Sequence, residues 1–223
     1  MRKNFSIIIP CYNEAERIEE TIRAVADLRL LEDIIVVDDG SDDETGALAA
    51  KEGARVIRLN GNLGKGAALN AGILASRSDI LLFLDADLGK TAVEGEKLLM
   101  PVIFDQADMT IAKFAKEKKS GFGLTKQVAK LGVKYLGGIV LNEPISGQRA
   151  VKRELILPLL PLADNYGIEV DLNIKAAKAN WRIQEISTLM RHRKTGRDLA
   201  GFRHRAKQLS DIVQVFFRLG GKA

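Results

Sequence analysis

Asp85 and Asp87 stand one residue apart directly after the apolar run Ile80 to Leu84, in the stretch DILLFLDADLGK. Two carboxylates so spaced can hold a divalent cation or a ribose; they can equally form a solvated loop with a helix-capping aspartate. Three more polar clusters follow apolar runs: PCYNE (Pro10 to Glu14), DDGSDD (Asp38 to Asp43), and NGNLGKGAALN, with Lys65 between Gly64 and Gly66. Acids gathered without a cation repel one another. Acids, one lysine and glycine backbone together therefore call for a divalent metal and a phosphate-bearing ligand. The GKG segment is not a P-loop, because its glycine spacing is short and Gly66 stands where a hydroxyl residue should follow the lysine. No G-x-G-x-x-G follows the first apolar run, which argues against a nicotinamide-binding fold.

The clusters need a frame that brings them to one edge. The runs FSIIIP, DIIVVDDG, ARVIRLN and DILLFLDAD read as strands, and EAERIEETIRAVADLRLL, DDETGALAAKEGA and GKGAALNAGILASRSD as the helices between them. Strand–helix alternation with short connections predicts an α/β fold with a parallel sheet, whose ligands collect beyond the carboxyl ends of the strands. Asn13 and Ser41, each three residues before a glutamate, are the expected N-caps of two helices in capping boxes. After Lys90 the pattern loosens: ADMTIAKFAK reads as a strand, TKQVAKLGVKYLGGIVL as a helix, PISGQRAV as a strand or turn, WRIQEIST as a late strand. No repeat or linker appears, so residues 1–223 are read as one domain. Within it, 200–219 form a C-terminal amphipathic helix, its stripe being Phe202, Ala206, Leu209, Val213 and Phe216.

A net charge of +5 on 223 residues suits an acidic small molecule or an anionic membrane surface and is too weak to argue for nucleic acid. The single cysteine, Cys11, fits a reducing compartment. The N-terminal apolar run is too short for a signal peptide, and no segment approaches the ~20 apolar residues of a membrane span. A cytoplasmic protein is expected, peripheral to a membrane if the C-terminal stripe meets lipid rather than packing on the domain.

The segments IIIPCYNEAERI, VVDDGSDDET, NLGKGAALNAG and LFLDADL, in this order, resemble the successive motifs of family-2 glycosyltransferases. The resemblance implies the GT-A fold, a mostly parallel central sheet flanked by helices, and transfer of a sugar from a UDP- or GDP-sugar donor. It implies that Pro10, Tyr12, Glu14 and Asp39 hold base and ribose, that Lys65 lies near the nucleotide, and that Asp85 and Asp87 bind the ribose and a Mg2+ or Mn2+ ion on the diphosphate. Asp87 is the first choice of metal ligand. Further along, NYGIEVDLNIKAA supplies Glu169 and Asp171 as candidate catalytic acids. Two residues apart on a helix, they point about 200° from each other and cannot both face one site; of the two, Glu169 is the first choice of general base. The alternative is a pair of acids favoured by the helix dipole. The second half is similar to glucosyl-3-phosphoglycerate synthases, which implies His192 as a further metal ligand and Thr125, Ser146, Gly147 and Arg149 near the acceptor. It departs from them at Gly123, Leu124 and Thr125, where those enzymes carry an arginine before a Val-Thr pair. Polyprenyl-phosphate sugar synthases share the N-terminal motifs, so the acceptor is a small phosphorylated or hydroxy acid or a lipid phosphate, and inversion or retention stays open. A second copy of the chain, in a homodimer, is a candidate partner. The competing readings are a nucleotide-sugar-binding relative without turnover, and a receiver-like regulatory domain using Asp38, Asp39 and Asp85.

Overall fold

A computed structural model describes residues 3–114, 123–191 and 199–220. Among the described residues, seven strands form one sheet: β1 (Phe5–Cys11), β2 (Leu31–Asp38), β3 (Arg55–Arg58), β4 (Ile80–Phe83), β5 (Met109–Phe114), β6 (Arg149–Lys152) and β7 (Ile183–Thr188), in the order β3-β2-β1-β4-β6-β5-β7. Eight α-helices among the described residues connect or cover them: α1 (Ile18–Val25), α2 (Thr45–Lys51), α3 (Lys65–Ala75), α4 (Glu96–Ile103), α5 (Gly123–Gly137), α6 (Arg153–Ile156), α7 (Ile168–Lys178) and α8 (Leu199–Gly220). The β1–β2, β1–β4, β2–β3 and β5–β7 pairings are parallel. β6 runs antiparallel to both β4 and β5, so the segment read as "a strand or turn" reverses direction in the middle of the sheet.

Alternation along the strands divides the core between the two faces. Ile8, Ile35, Val37, Leu81 and Phe83 pack with α3, α5, α7 and α8 on one face. Ile7, Ile9, Ile34, Val36, Ile80 and Leu82 pack with α1 and α4 on the other. Both faces of β1, β2 and β4 are covered, which is why these runs read as continuously apolar rather than alternating.

α8 packs on the domain. Ile212 and Val215 are buried, Phe216 and Leu219 lie against the core, and the Phe216 ring touches the backbone of Gly132 on α5. Among the described side chains of α8, the apolar residues mainly face protein rather than lipid, and the stripe is centred on Ile212 and Val215 instead of Leu209 and Val213. The side chains of Phe202 and Ala206 lie outside the described residues. Among the described residues no helix is long and apolar enough to cross a membrane.

Candidate active site

The loops after β1 and β2 are bound to each other. Asp39 N–H donates to the Cys11 carbonyl (2.9 Å), Asn13 N–H to Ser41 Oγ (3.0 Å), and Asp42 N–H to Asn13 Oδ1 (2.8 Å). Glu14 N–H donates to Thr45 Oγ1 at 2.8 Å. This corrects the capping boxes. α1 begins four residues and α2 three residues later than expected, with Arg17 and Glu44 at their N-caps and no side-chain cap. Asn13, at φ 55, and Ser41 instead join the two loops, because each polar side chain finds a closer backbone partner across the rim than along its own helix.

Asp39 carries the connection onward. Its carboxylate accepts the N–H groups of Leu63 and Gly64, both at 2.8 Å, and so fixes the turn that starts α3 with Lys65. On the far side, Gly66 lies directly against the Ala163 carbonyl and Asp164, closer than any side chain would permit. Asn70 of α3 also exchanges two hydrogen bonds with Leu162, at 3.1 and 3.2 Å.

Lys65 is thereby set between acids from separate elements. Its Nζ lies 2.8 Å from Asp85 Oδ1, at the exit of β4, and 2.9 Å from Glu169 Oε1, in the first turn of α7. Gln148, just before β6, donates to Asp85 Oδ2 at 2.6 Å. Gly147 completes the wall: a Cβ there would stand 2.5 Å from Lys65 Nζ and 3.2 Å from both Asp85 carboxylate oxygens. Burial alone would lower the Lys65 pKa. The facing carboxylates, Asp85 and then Glu169, outweigh it and raise the pKa, so the ammonium is charged at any working pH.

Asp87 sits on the turn that follows. Thr21, fully buried on α1, donates to the Ala86 carbonyl (2.7 Å) and accepts from Gly89 N–H (2.8 Å), clamping this turn from behind. Cys11 is no nucleophile here: burial, with Asp38 and Glu14 adding to it, pushes its thiol pKa far up.

The remaining expected residues divide. Tyr12 is exposed and Pro10 half-buried on the same rim. Asp171 faces away from Lys65, as the helical spacing requires. It is fully buried, 3.0 Å from Lys175 and 2.8 Å from Arg218, and accepts the Ala163 N–H, so it ties α7 to α8 rather than serving as an acid or base. Arg149 spends its donors inside the protein. Its guanidinium is enclosed, donating to the Ser146 and Pro144 carbonyls and to Asn173 Oδ1, and burial lowers its pKa to about 10 against the opposing pull of Glu169. Ser146 is buried in the same turn and Thr125 on the inner face of α5, so neither presents its hydroxyl outward. His192 lies outside the described residues. Sequence reasoning missed Gln148, which sits inside the quoted PISGQRAV segment, and Thr21, which carries no signal because an interior helical threonine is ordinary.

Asp38, one of the three acids of the receiver-like reading, is wholly buried. It accepts the Ser41 N–H and faces α2 at Gly46. The comparisons remove that reading altogether. The pattern of "Glycosyl transferase family 2" matches residues 6–155. An uncharacterized protein of Methanocaldococcus jannaschii is 30% identical over 191 residues, covering 81% of this chain and 78% of that protein. Glucosyl-3-phosphoglycerate synthase of Mycobacterium tuberculosis is 29% identical over 196 residues, covering 77% of this chain but 60% of the synthase. The glycosyltransferase AglJ of Haloferax volcanii is 29% identical over 201 residues, covering 86% of this chain and 64% of its own. The crystal structure of the mycobacterial synthase with Mg2+ and UDP superposes with a TM-score of 0.83 at 26% identity, over 98% of this chain and 80% of that one. The chain belongs to glycosyl transferase family 2 and is a glycosyltransferase of GT-A fold.

Proposed function

We propose that this chain transfers a hexosyl group from a UDP-sugar to a phosphate-bearing acceptor, with Mg2+ or Mn2+ held at Asp87 and with Asp85 serving the ribose or the ion's water shell. One observation carries the reading. A single ammonium, Lys65, bridges Asp85 and Glu169 beside Asp87 at the carboxyl end of β4, in a chain that superposes on a synthase solved with Mg2+ and UDP. The donor set fits such an ion. Asp87 offers a hard oxygen ligand, and among the described residues no cluster of three or more His, Cys, Asp or Glu stands ready to saturate a cation. An ion bound by few protein ligands keeps positions for diphosphate oxygens.

Breaking the glycosyl–phosphate bond leaves charge on UDP, and the cation supplies Lewis acidity there. The chain's own residues do the positioning. Gln148 and Lys65 fix the Asp85 carboxylate, Thr21 fixes the turn bearing Asp87, and Asp39 fixes the loop that delivers Lys65. Glu169 is the carboxylate assigned to an acceptor proton. That task exists only if the nucleophile is a hydroxyl, because a phosphate oxygen attacks already ionised.

The acceptor class follows from the same logic. Structures of the mycobacterial synthase contain phosphoglyceric acid, yet Gly123, Leu124 and Thr125 here differ from the arginine-containing segment of such enzymes, which supports a different phosphate-bearing acceptor. The test is release of UDP from UDP-sugars in Mn2+ and in chelator, with 3-phosphoglycerate and a polyprenyl phosphate as separate acceptors. Metal-dependent turnover is expected, faster with the polyprenyl phosphate than with 3-phosphoglycerate. Glu169→Gln should then cost about 10²–10⁴ in rate with a hydroxyl acceptor and far less with a phosphate acceptor. Turnover indifferent to chelator, or no UDP-sugar binding at all, overturns the reading.

A further inference from the structure

We infer that α5 is a docking face for an anionic lipid surface. The helix has two apolar stripes. Thr125, Ala129 and Val133 are buried against the domain. Leu124, Leu131 and Tyr135 point the other way, 67%, 68% and 89% exposed. At 100° per residue these three fall within about 40° of one another around the helix axis, so they form one line rather than scattered surface residues.

Charge identifies the occupant. The α5 sequence GLTKQVAKLGVKYLG contains three lysines and no acid. Lys126 pairs with Glu143 at 2.6 Å, while Lys130 and Lys134 make no ion pair among the described residues. Both follow the outward stripe along one flank. An apolar line with cations beside it is the arrangement that lies in a lipid headgroup region, the apolar side chains entering and the ammonium groups remaining at the phosphates. A two-fold dimer through this face would set unanswered lysines of one copy against those of the other, with no acid on α5 to balance them. The surface therefore fits an anionic bilayer better than a second copy of the chain. It is separate from the Lys65 site and from the α8 contacts with the core, and it does not depend on the identity of the sugar donor.

The experiment is vesicle flotation of the full chain. Phosphatidylcholine vesicles are compared with vesicles of phosphatidylcholine and phosphatidylserine, each at low and high salt. The wild type should float with the anionic vesicles only, and salt should release it. Lys130→Glu with Lys134→Glu should weaken the association by about thirtyfold or more. Leu131→Glu with Tyr135→Glu should abolish it, both variants keeping the wild-type circular dichroism spectrum and unfolding temperature. Absence of wild-type flotation overturns the inference, as does flotation that survives both double variants. Sedimentation velocity covers the remaining case. A dimer that the Leu131→Glu and Tyr135→Glu pair dissociates, in a protein that ignores vesicles, makes this an interface between copies and refutes the lipid assignment. Turnover of a UDP-sugar with a soluble acceptor is unaffected by either pair, so failure here leaves the functional reading intact.

Discussion

Replacing Lys65 with methionine removes one charge that two carboxylates share. Asp85 and Glu169 both touch the same nitrogen, at 2.8 and 2.9 Å, so their nearer oxygens stand no more than about 6 Å apart. At an effective dielectric constant of about 20, two such charges repel by about 3 kcal/mol once the ammonium is gone. Breaking a fully buried pair costs about 3–5 kcal/mol. The side chains here retain 20% exposure at Lys65 and 25% at Asp85, so screening brings the expected loss to about 2–3 kcal/mol. For a chain of this size that is a fall of roughly 5–10 °C in unfolding temperature. Adding Glu169→Gln removes the repulsion, so the double variant should recover about 1–2 kcal/mol over Lys65→Met alone, although two groups have been changed. Mn2+ should stabilise Lys65→Met more than the wild type, since a cation can take the vacated position between the acids. Urea unfolding followed by circular dichroism, with and without Mn2+, measures all three quantities. A Lys65→Met variant as stable as the wild type would refute the shared-charge account. So would a double variant no more stable than the single one.

Thr21→Val keeps the shape of the side chain but leaves the Ala86 carbonyl and Gly89 N–H without their buried partner. It should cost about 2 kcal/mol and raise the Mn2+ concentration needed for half-maximal turnover, with Thr21→Ser restoring both; a metal requirement unchanged in Thr21→Val removes the positioning role. Gly147→Ala places a methyl group 2.5 Å from Lys65 Nζ, so turnover should fall at least tenfold while the far-ultraviolet spectrum stays native. Asp108 is held by Arg182 and Lys152 at the opposite end of the sheet, and hydrogen bonding from Arg182, against the cost of burial and aided by Lys152, lowers its pKa. A depressed carboxylate pKa adds stability above the unfolded value of about 4 and loses it as the pH falls toward the folded one. Asp108→Asn should therefore cost about 3 kcal/mol at pH 7 and progressively less below pH 4, and parallel stability–pH curves for the two proteins would contradict it.

The half of the fold nearest the N-terminus is plainly written in the residues. β1, β2 and β4 are buried on both sides, so each carries an uninterrupted apolar run ending in polar residues, and the rim could be inferred from those endings. The second half is less legible because its strands do not follow that rule. β6 has only four residues, includes Arg149 and Lys152, and runs against its neighbours, so nothing in PISGQRAV distinguishes it from a turn. Asn13 and Ser41 have the spacing of helix caps but spend their hydrogen bonds on each other's loop, a choice fixed by the β1–β2 pairing and invisible to local spacing. Arg149 shows the limit from the other side. An arginine after a glycine-containing turn suggests an anion site, and only burial reveals that its donors are already committed to Ser146, Pro144 and Asn173. Glu169 and Asp171 were separable in advance because helical geometry alone sends them to different neighbours.

Anomalous diffraction at the manganese edge, from crystals of the full chain grown with Mn2+ and UDP, bears most directly on the proposed chemistry. One strong peak should lie within ligand distance of Asp87, with the diphosphate on the same side of the sheet edge as Lys65. Manganese bound elsewhere, or UDP seated away from both Asp87 and Lys65, contradicts the account.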